Sequence, residues 1–176
     1  FWFSRTEEEL AQLPGYRELD GEKHPDDIAE ARRLLAEAGW PNGFKTTMKV
    51  MVGQDRVAAA ELAAEQLRKF LNIDATIKPG EIAAYYADYK AGNYALAVMG
   101  QGVLFQDPAN MFAGLYNKDA TRNYSGWSHP RMAEIYQEIL REPDQEKRRV
   151  LAREAEDFFI NVDVPWVSLY WVTNLW

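Results

Sequence analysis

The chain is 176 residues long, sets 27 acidic against 20 basic side chains for a formal charge of −7, and is 47% hydrophobic and 13% aromatic. That length and apolar content suffice for a packed core, while the acidic balance leaves no basic face to neutralise a run of phosphates or to hold an anionic lipid surface. The absence of cysteine excludes disulfides, thiolate nucleophiles and cysteine metal sites, and no stretch approaches the roughly 18 apolar residues of a membrane helix. The chain opens FWFSRTEEEL without a methionine and stops at VTNLW, so both ends are expected to continue into something longer.

Residues 1–23 mix aromatics, acids and the turn Pro14-Gly15, which predicts a short helix near Thr6 to Gln12 and then an extended connection. From Pro25 the period sharpens: Ile28, Ala31, Leu34, Leu35 and Ala38 share one face of a helix over 25–38, closed by Gly39 and Pro41. Phe44 to Val52 alternates as a strand, and Asp55 is placed to cap a helix with Val57, Ala60, Ala64, Leu67 and Leu71 on its inner side. A second strand, Ile73 to Lys78, stops at Pro79-Gly80. The next helix puts Ile82, Tyr85, Tyr86 and Tyr89 inside and closes at Gly92.

Tyr94 to Met99 is then a short continuous apolar run, read as a strand buried on both faces. Strand, helix, strand, helix, strand at this spacing predicts an α/β fold, a three-layer sandwich with a mostly parallel sheet flanked by helices. Pro108 to Tyr116 follows as a short helix and Asn117 to Trp127 as a polar, aromatic loop. Ser128 is placed to cap a helix with Met132, Ile135, Tyr136 and Ile139 inside. Asp144 opens another with Leu151, Ala155, Phe158 and Phe159, and Val164 to Val172 closes the chain as a strand.

Catalytic motifs are missing: no nucleophile elbow, metal-protease, phosphate-loop or dinucleotide pattern occurs. His24 and His129 each precede a proline in a helix-entry turn and read as surface turn residues, so neither a metal nor a cofactor is expected. Asp107 before Pro108 reads either as an N-cap or as a ligand group. Gly100 and Gly102 follow the apolar strand at its carboxyl end, the edge where open α/β sheets place ligands. Tyr94, Phe105, Tyr116, Tyr124 and Trp127, at strand ends or in polar loops, suit a cleft for a small polar organic molecule. Two alternatives stay open at this level: a small α/β hydrolase using Asp107, and a protein-interaction module with exposed aromatic ends.

The ordered set LLAEAGWPNGF, the apolar strand, DPAN, NYSGWSHP, EPDQEKRRVLAREAEDFF and VPWVSLYW resembles the second lobe of the family 5 extracellular solute-binding proteins, the receptors of peptide, nickel and opine ABC importers. The resemblance implies a periplasmic-binding-protein-like lobe over 25–163, with 1–24 connecting from a missing first part and 164–176 leading toward the other lobe. It implies a non-catalytic receptor of an ABC importer, periplasmic or tethered outside the cytoplasm, that traps a small solute between two lobes and hands it to a membrane permease, without nucleic acid or membrane insertion of its own. The ligand rim it implies is Gln101, Gly102, Val103, Leu104 and Phe105, with Asn123, Tyr124 and Trp127. Peptide-binding members resemble G-W-x-x-D after the strand, the aspartate pairing with the peptide's amino group. Here the run is G-Q-G-V-L, with Gln101 at the tryptophan position and Leu104 at the aspartate position. An ammonium left unpaired there costs a few kcal/mol, which turns the expectation from an ordinary peptide toward an opine-like or sugar-like solute.

Overall fold

A seven-residue strand with parallel neighbours on both sides is the centre of the α/β part of the chain. The computed structural model describes residues 2–100, 102, 105–116 and 118–169, without the side chains of 54, 115 and 116. The chain divides into two compact units, one of residues 7–100 and the other of residues 2–6 with the described residues from 102 onward.

The first unit begins with α1 (Glu7–Leu10) and a two-residue hairpin, β1 (Glu18–Leu19) with β2 (Glu22–Lys23). Sequence reading leaves this stretch as a plain connection. The Asp20-Gly21 pair, at φ 55° and 78°, makes it a tight hairpin turn, since both central residues need the left-handed region. Helix α2 (Pro25–Glu37) follows as expected, although none of its residues is fully buried and Leu34 is 51% exposed. It is held by the Arg17–Asp27 ion pair at its start and by Arg32 Nε donating to the Phe70 carbonyl at 2.8 Å. Gly43 (φ 74°) then turns the chain where a Cβ would stand 2.0 Å from the Asn72 carbonyl oxygen, a contact only glycine admits.

Strand β3 (Lys45–Met51), helix α3 (Gln54–Leu71), strand β4 (Asp74–Gly80), helix α4 (Ile82–Lys90) and strand β5 (Leu96–Val98) complete the unit. The sheet order is β4-β3-β5 and both pairings are parallel, Lys45 to Met51 facing Asp74 to Gly80, and Met48 to Val50 facing Leu96 to Val98. Parallel strands require crossovers, and here α3 and α4 supply them on opposite faces. Met48 and Val50 of β3 pack with Ala60 and Ala75 under α3, joined by Val57, Leu67, Ile77 and Val98. Lys49, of the other parity, reaches Asp88 of α4 at 2.5 Å. Tyr85 and Tyr89 of α4, 3% and 1% exposed, lie on that side.

Three expectations change here. The apolar run 94–99 is not a strand buried on both faces: only Leu96–Val98 pair, on one side, and Leu96 is exposed because β5 stands at the edge of the described sheet. Ile82 is 55% exposed and leaves the inner face of α4 to the tyrosines. The N-cap of α3 is Gly53, with Asp55 in the first turn where an acid meets the positive end of the helix dipole.

The second unit is helical. Helix α5 (Pro108–Met111) passes into a wider π turn at Phe112–Tyr116, and α6 (Pro130–Arg141) and α7 (Gln145–Asp157) form a hairpin, α7 ending in a second π turn at Phe158–Val162. His129 rather than Ser128 caps α6, its Nδ1 accepting from the Arg131 amide at 3.2 Å, and Asp144 caps α7 as expected. The core joins Phe112, Met132, Ile135, Ile139 and Ala155, with Tyr136, Leu151, Phe158 and Phe159 against it. Residues 2–6 belong to this unit: Phe3 is buried, Arg153 donates to the Phe3 and Ser4 carbonyls at 3.1 and 2.7 Å, and Arg5 pairs with Glu156 and Asp157. Residues 164–169 carry no strand. Val164 at φ 44° and the missing donor of Pro165 interrupt any ladder there, and 170–172 lie outside the described residues.

Ile135→Ala should cost about 2–5 kcal/mol in urea denaturation, because the site is fully enclosed. In the α/β unit, hydrogen bonds from Lys49 and then Asn93 hold Asp88 below the usual carboxylate range. A depressed carboxyl stabilises the fold above its unfolded pKa, about 3.9, and that contribution is lost as pH falls through the folded value. Asp88→Asn should therefore flatten the decline of Tm below about pH 4.

Candidate functional site

In the α/β unit the chain order reverses between β3 and β5, and in open parallel sheets the crevice outside the carboxyl ends at such a reversal receives ligands. The carboxyl end of β3 leads into Val52-Gly53 and that of β5 into Met99-Gly100. Over this edge lies Arg56, from the first turn of α3. Its Nε and Nη2 stand 3.3 Å from the point a Gly100 Cβ would occupy, and Nη1 stands 3.5 Å from the corresponding point at Gly53. The guanidinium is half-buried, and among the described residues no carboxylate pairs with it. A cation in the first helical turn opposes the dipole, so the arrangement gains when an anionic group sits beside it and accepts the α3 amides.

The floor of this edge is fixed from below. The Tyr85 hydroxyl donates to the Val98 carbonyl and lies 3.3 Å from that of Lys49, while the Tyr89 hydroxyl reaches Val98 O at 3.1 Å. Burial pushes the Tyr85 phenol well above its ordinary pKa, which keeps the proton that makes it a donor.

In the helical unit the structure brings the expected rim residues together only in part. Gly102 and the 122–127 loop are joined by Arg122, whose Nη1 donates to the Gly102 carbonyl at 2.8 Å. The Asn123 carboxamide turns into its own loop, donating to Trp127 O at 2.7 Å and accepting from Ser125 Oγ at 3.0 Å. Trp127 donates through Nε1 to Asp163 at 2.8 Å and packs its ring 5.1 Å from Phe159, so this indole also serves the helical core. Tyr124 is half-buried, and Phe105, 68% exposed, is the most accessible of the expected aromatics. Gln101, Val103 and Leu104 lie outside the described residues.

Asp107 is engaged. It caps α5 through Oδ1 to the Ala109 amide at 2.8 Å, and both its oxygens stand 2.5 Å from Arg148 Nη2. That engagement removes the free carboxylate the hydrolase alternative needs. His24 repeats the cap of His129, accepting from the Asp26 amide at 3.3 Å. Among the described residues no cluster of histidines and carboxylates is arranged to hold a metal, and no helix is long and apolar enough to cross a membrane.

Sequence reading missed Arg56 and Arg122. The signal available for Arg56 was a cation in a helical first turn that favours acids. For Arg122 there was none, because its partners are a carbonyl twenty residues away and a glycine eight away.

The family model described as bacterial extracellular solute-binding proteins, family 5 Middle, matches residues 10–123. The chain is 27% identical over 117 residues to the oligopeptide-binding protein OppA of Bacillus subtilis (strain 168), covering 66% of this chain and 21% of that protein. It is 31% identical over 138 residues to di/tripeptide-binding protein 1 of Pseudomonas aeruginosa (strain UCBPP-PA14), covering 75% and 26%. Among solved structures it is similar to the periplasmic binding protein DppA of Helicobacter pylori in complex with peptide STSA, with a TM-score of 0.71 and 28% identity over 88% of this chain and 30% of that one. The chain thus spans between 21% and 30% of the length of these relatives.

Asp107→Asn keeps a good N-cap but removes the charge facing Arg148. With the Asp107 side chain 44% exposed, the expected loss is about 1 kcal/mol in chemical denaturation.

Proposed function

Because the chain belongs to the family 5 bacterial extracellular solute-binding proteins, we propose that it forms part of an ABC importer receptor whose solute is a peptide. The proteins named above as similar are binding proteins for oligopeptides, di- and tripeptides, and one was solved with the peptide STSA bound. The turn toward opine-like or sugar-like solutes, argued from Gln101 and Leu104, has no counterpart in those relatives and is not kept. The two residues still bear on how a peptide is held. With Leu104 in place of a carboxylate, the amino end of the peptide draws its counter-charge from elsewhere, and this chain contributes at the other end.

The observation that carries the reading is Arg56. It is a half-buried guanidinium without a carboxylate partner among the described residues, at the carboxyl edge where strand order reverses. A fork of donors at a helix N-terminus matches the bidentate geometry of a carboxylate, so Arg56 receives the C-terminal carboxylate of the peptide. Independently of Arg56, Gln101, Gly102, Val103, Leu104 and Phe105, with Asn123, Tyr124 and Trp127, are proposed as ligand-contacting residues of the receptor. Within the longer receptor, 25–163 is the second solute-binding lobe, 1–24 leads in and 164–176 leads toward the other lobe. The receptor works outside the cytoplasm, closes by differential affinity of its closed state for solute, and delivers to a permease. It performs no chemistry.

The full-length receptor tests this by thermal shift and calorimetry with di-, tri- and longer peptides against opines and oligosaccharides. At a hundredfold excess over Kd, a true ligand stabilises by about 2.7 kcal/mol. Stabilisation by an opine or oligosaccharide alone removes the peptide reading. Arg56→Gln should weaken peptide binding by about ten- to a hundredfold, and amidating the peptide C-terminus should weaken wild type by a similar factor but add little in the variant. Additive losses would show that Arg56 does not meet the carboxylate.

A further inference from the structure

We infer that Arg122 is a positioning residue for ligand binding, bracing the Gly102 rim against the 122–127 loop from a seat that only glycine at 114 leaves open. The inference rests on the proposed function, since it assigns these two loops to the ligand rim.

Three segments of the helical unit meet at this one side chain. Arg122 Nη1 donates to the Gly102 carbonyl at 2.8 Å. Its own amide donates to the Gly114 carbonyl at 3.2 Å, which anchors the base of the side chain on the π turn Phe112–Tyr116. Its guanidinium then lies across Gly114 so closely that a Cβ there would stand 2.3 Å from Nη2 and 3.2 Å from Nε and Cζ. Gly114 carries an ordinary helical backbone rather than a left-handed one, so nothing in its own conformation calls for glycine. The space does. A wide π turn, a residue without a side chain and an arginine laid over it make one fitted assembly, and insertions of this kind in helices gather where chains build sites.

The carbonyl at the far end of the fork gives the assembly its purpose. Gly102 is exposed and has no side chain to hold it, so its position depends on what its backbone bonds to. A guanidinium bond to a carbonyl is charge-assisted and directional. It sets the distance between the 102 carbonyl and Asn123, the next residue along from Arg122, whose carboxamide in turn closes the loop onto Trp127. A ligand that must touch both loops meets them preorganised, and the ordering cost of binding falls.

The test is made on the full-length receptor labelled with carbonyl-13C glycine, with calorimetry against tri-alanine and the dipeptide Met-Leu. Two variants remove the brace in different ways. Arg122→Gln shortens the reach and removes the charge. Gly114→Ala leaves the arginine in place but drives its guanidinium off the seat, and alanine is the better helix former, so folding is kept. Both should move the Gly102 carbonyl resonance in the same direction and lower peptide affinity by at least about tenfold, while Tm stays close to wild type. An unmoved Gly102 resonance overturns the brace, and a moved resonance with unchanged affinity overturns its role in binding. If wild type binds neither, affinities are read with whichever peptide stabilises the receptor in thermal shift; if none does, the proposed function falls, and the carbonyl resonance still decides whether the brace exists.

Discussion

Parallel pairing on both edges of β3 is the constraint from which the α/β unit follows. A parallel neighbour cannot be reached by a tight turn, so each pairing demands a crossover, and each crossover delivers a helix to a sheet face. With β4 on one side and β5 on the other, α3 and α4 must cover opposite faces. The residues of β3 divide accordingly: Met48 and Val50 enter the aliphatic cluster under α3, and Lys49 turns to Asp88 on α4. The same arrangement opens the crevice between the carboxyl ends of β3 and β5. Such a crevice, where open parallel sheets receive ligands, is a by-product of strand order, and the Arg56 guanidinium lies over it here.

The helical unit is organised by a different device. Its apolar core of Ile135, Ile139, Met132 and Phe112 is small, and arginine forks secure the segments that the core does not reach. Arg153 fixes the Phe3 and Ser4 carbonyls to α7, Arg148 ties Asp107 and the end of α6 to the start of α7, and Arg131 gathers Glu134, Glu138 and Glu154 across the hairpin. Backbone carbonyls leaving regular structure need donors, and a guanidinium offers several in fixed geometry without demanding burial of its own charge. The hydrogen bond from Arg131 holds Glu154 below the ordinary glutamate range, so this stitching is itself pH-dependent and weakens in acid.

Much of the architecture was legible in the chain. The 3.6-residue period with its closing glycine and proline placed α2 within a residue, entry residues placed the starts of α6 and α7 within a residue or two, and β-branched alternation placed β3 and β4, although β4 runs on through Pro79-Gly80 where a stop was expected. Turn chemistry was legible but went unread at Asp20-Gly21, where the dipeptide itself is the hairpin signal. The proposed rim was expected from glycines after an apolar strand and from aromatic and amide residues in the following loops; in the structure Asn123 and Trp127 also hold their own loop and core.

What the sequence by itself determined was local: the period of each element, the caps, the turn residues, the acidic balance and, through the ordered set of segments, the family. These depend on neighbours a few residues apart, and side-chain type carries that information directly. Only the tertiary structure decided that β5 is a short edge strand, that Asp107 is spent on Arg148, that Arg56 overlies Gly100 and that Arg122 lies across Gly114 to reach Gly102. Each of those joins residues that no periodicity links, so it exists only once strand order and helix packing have brought distant parts of the chain within reach of one side chain.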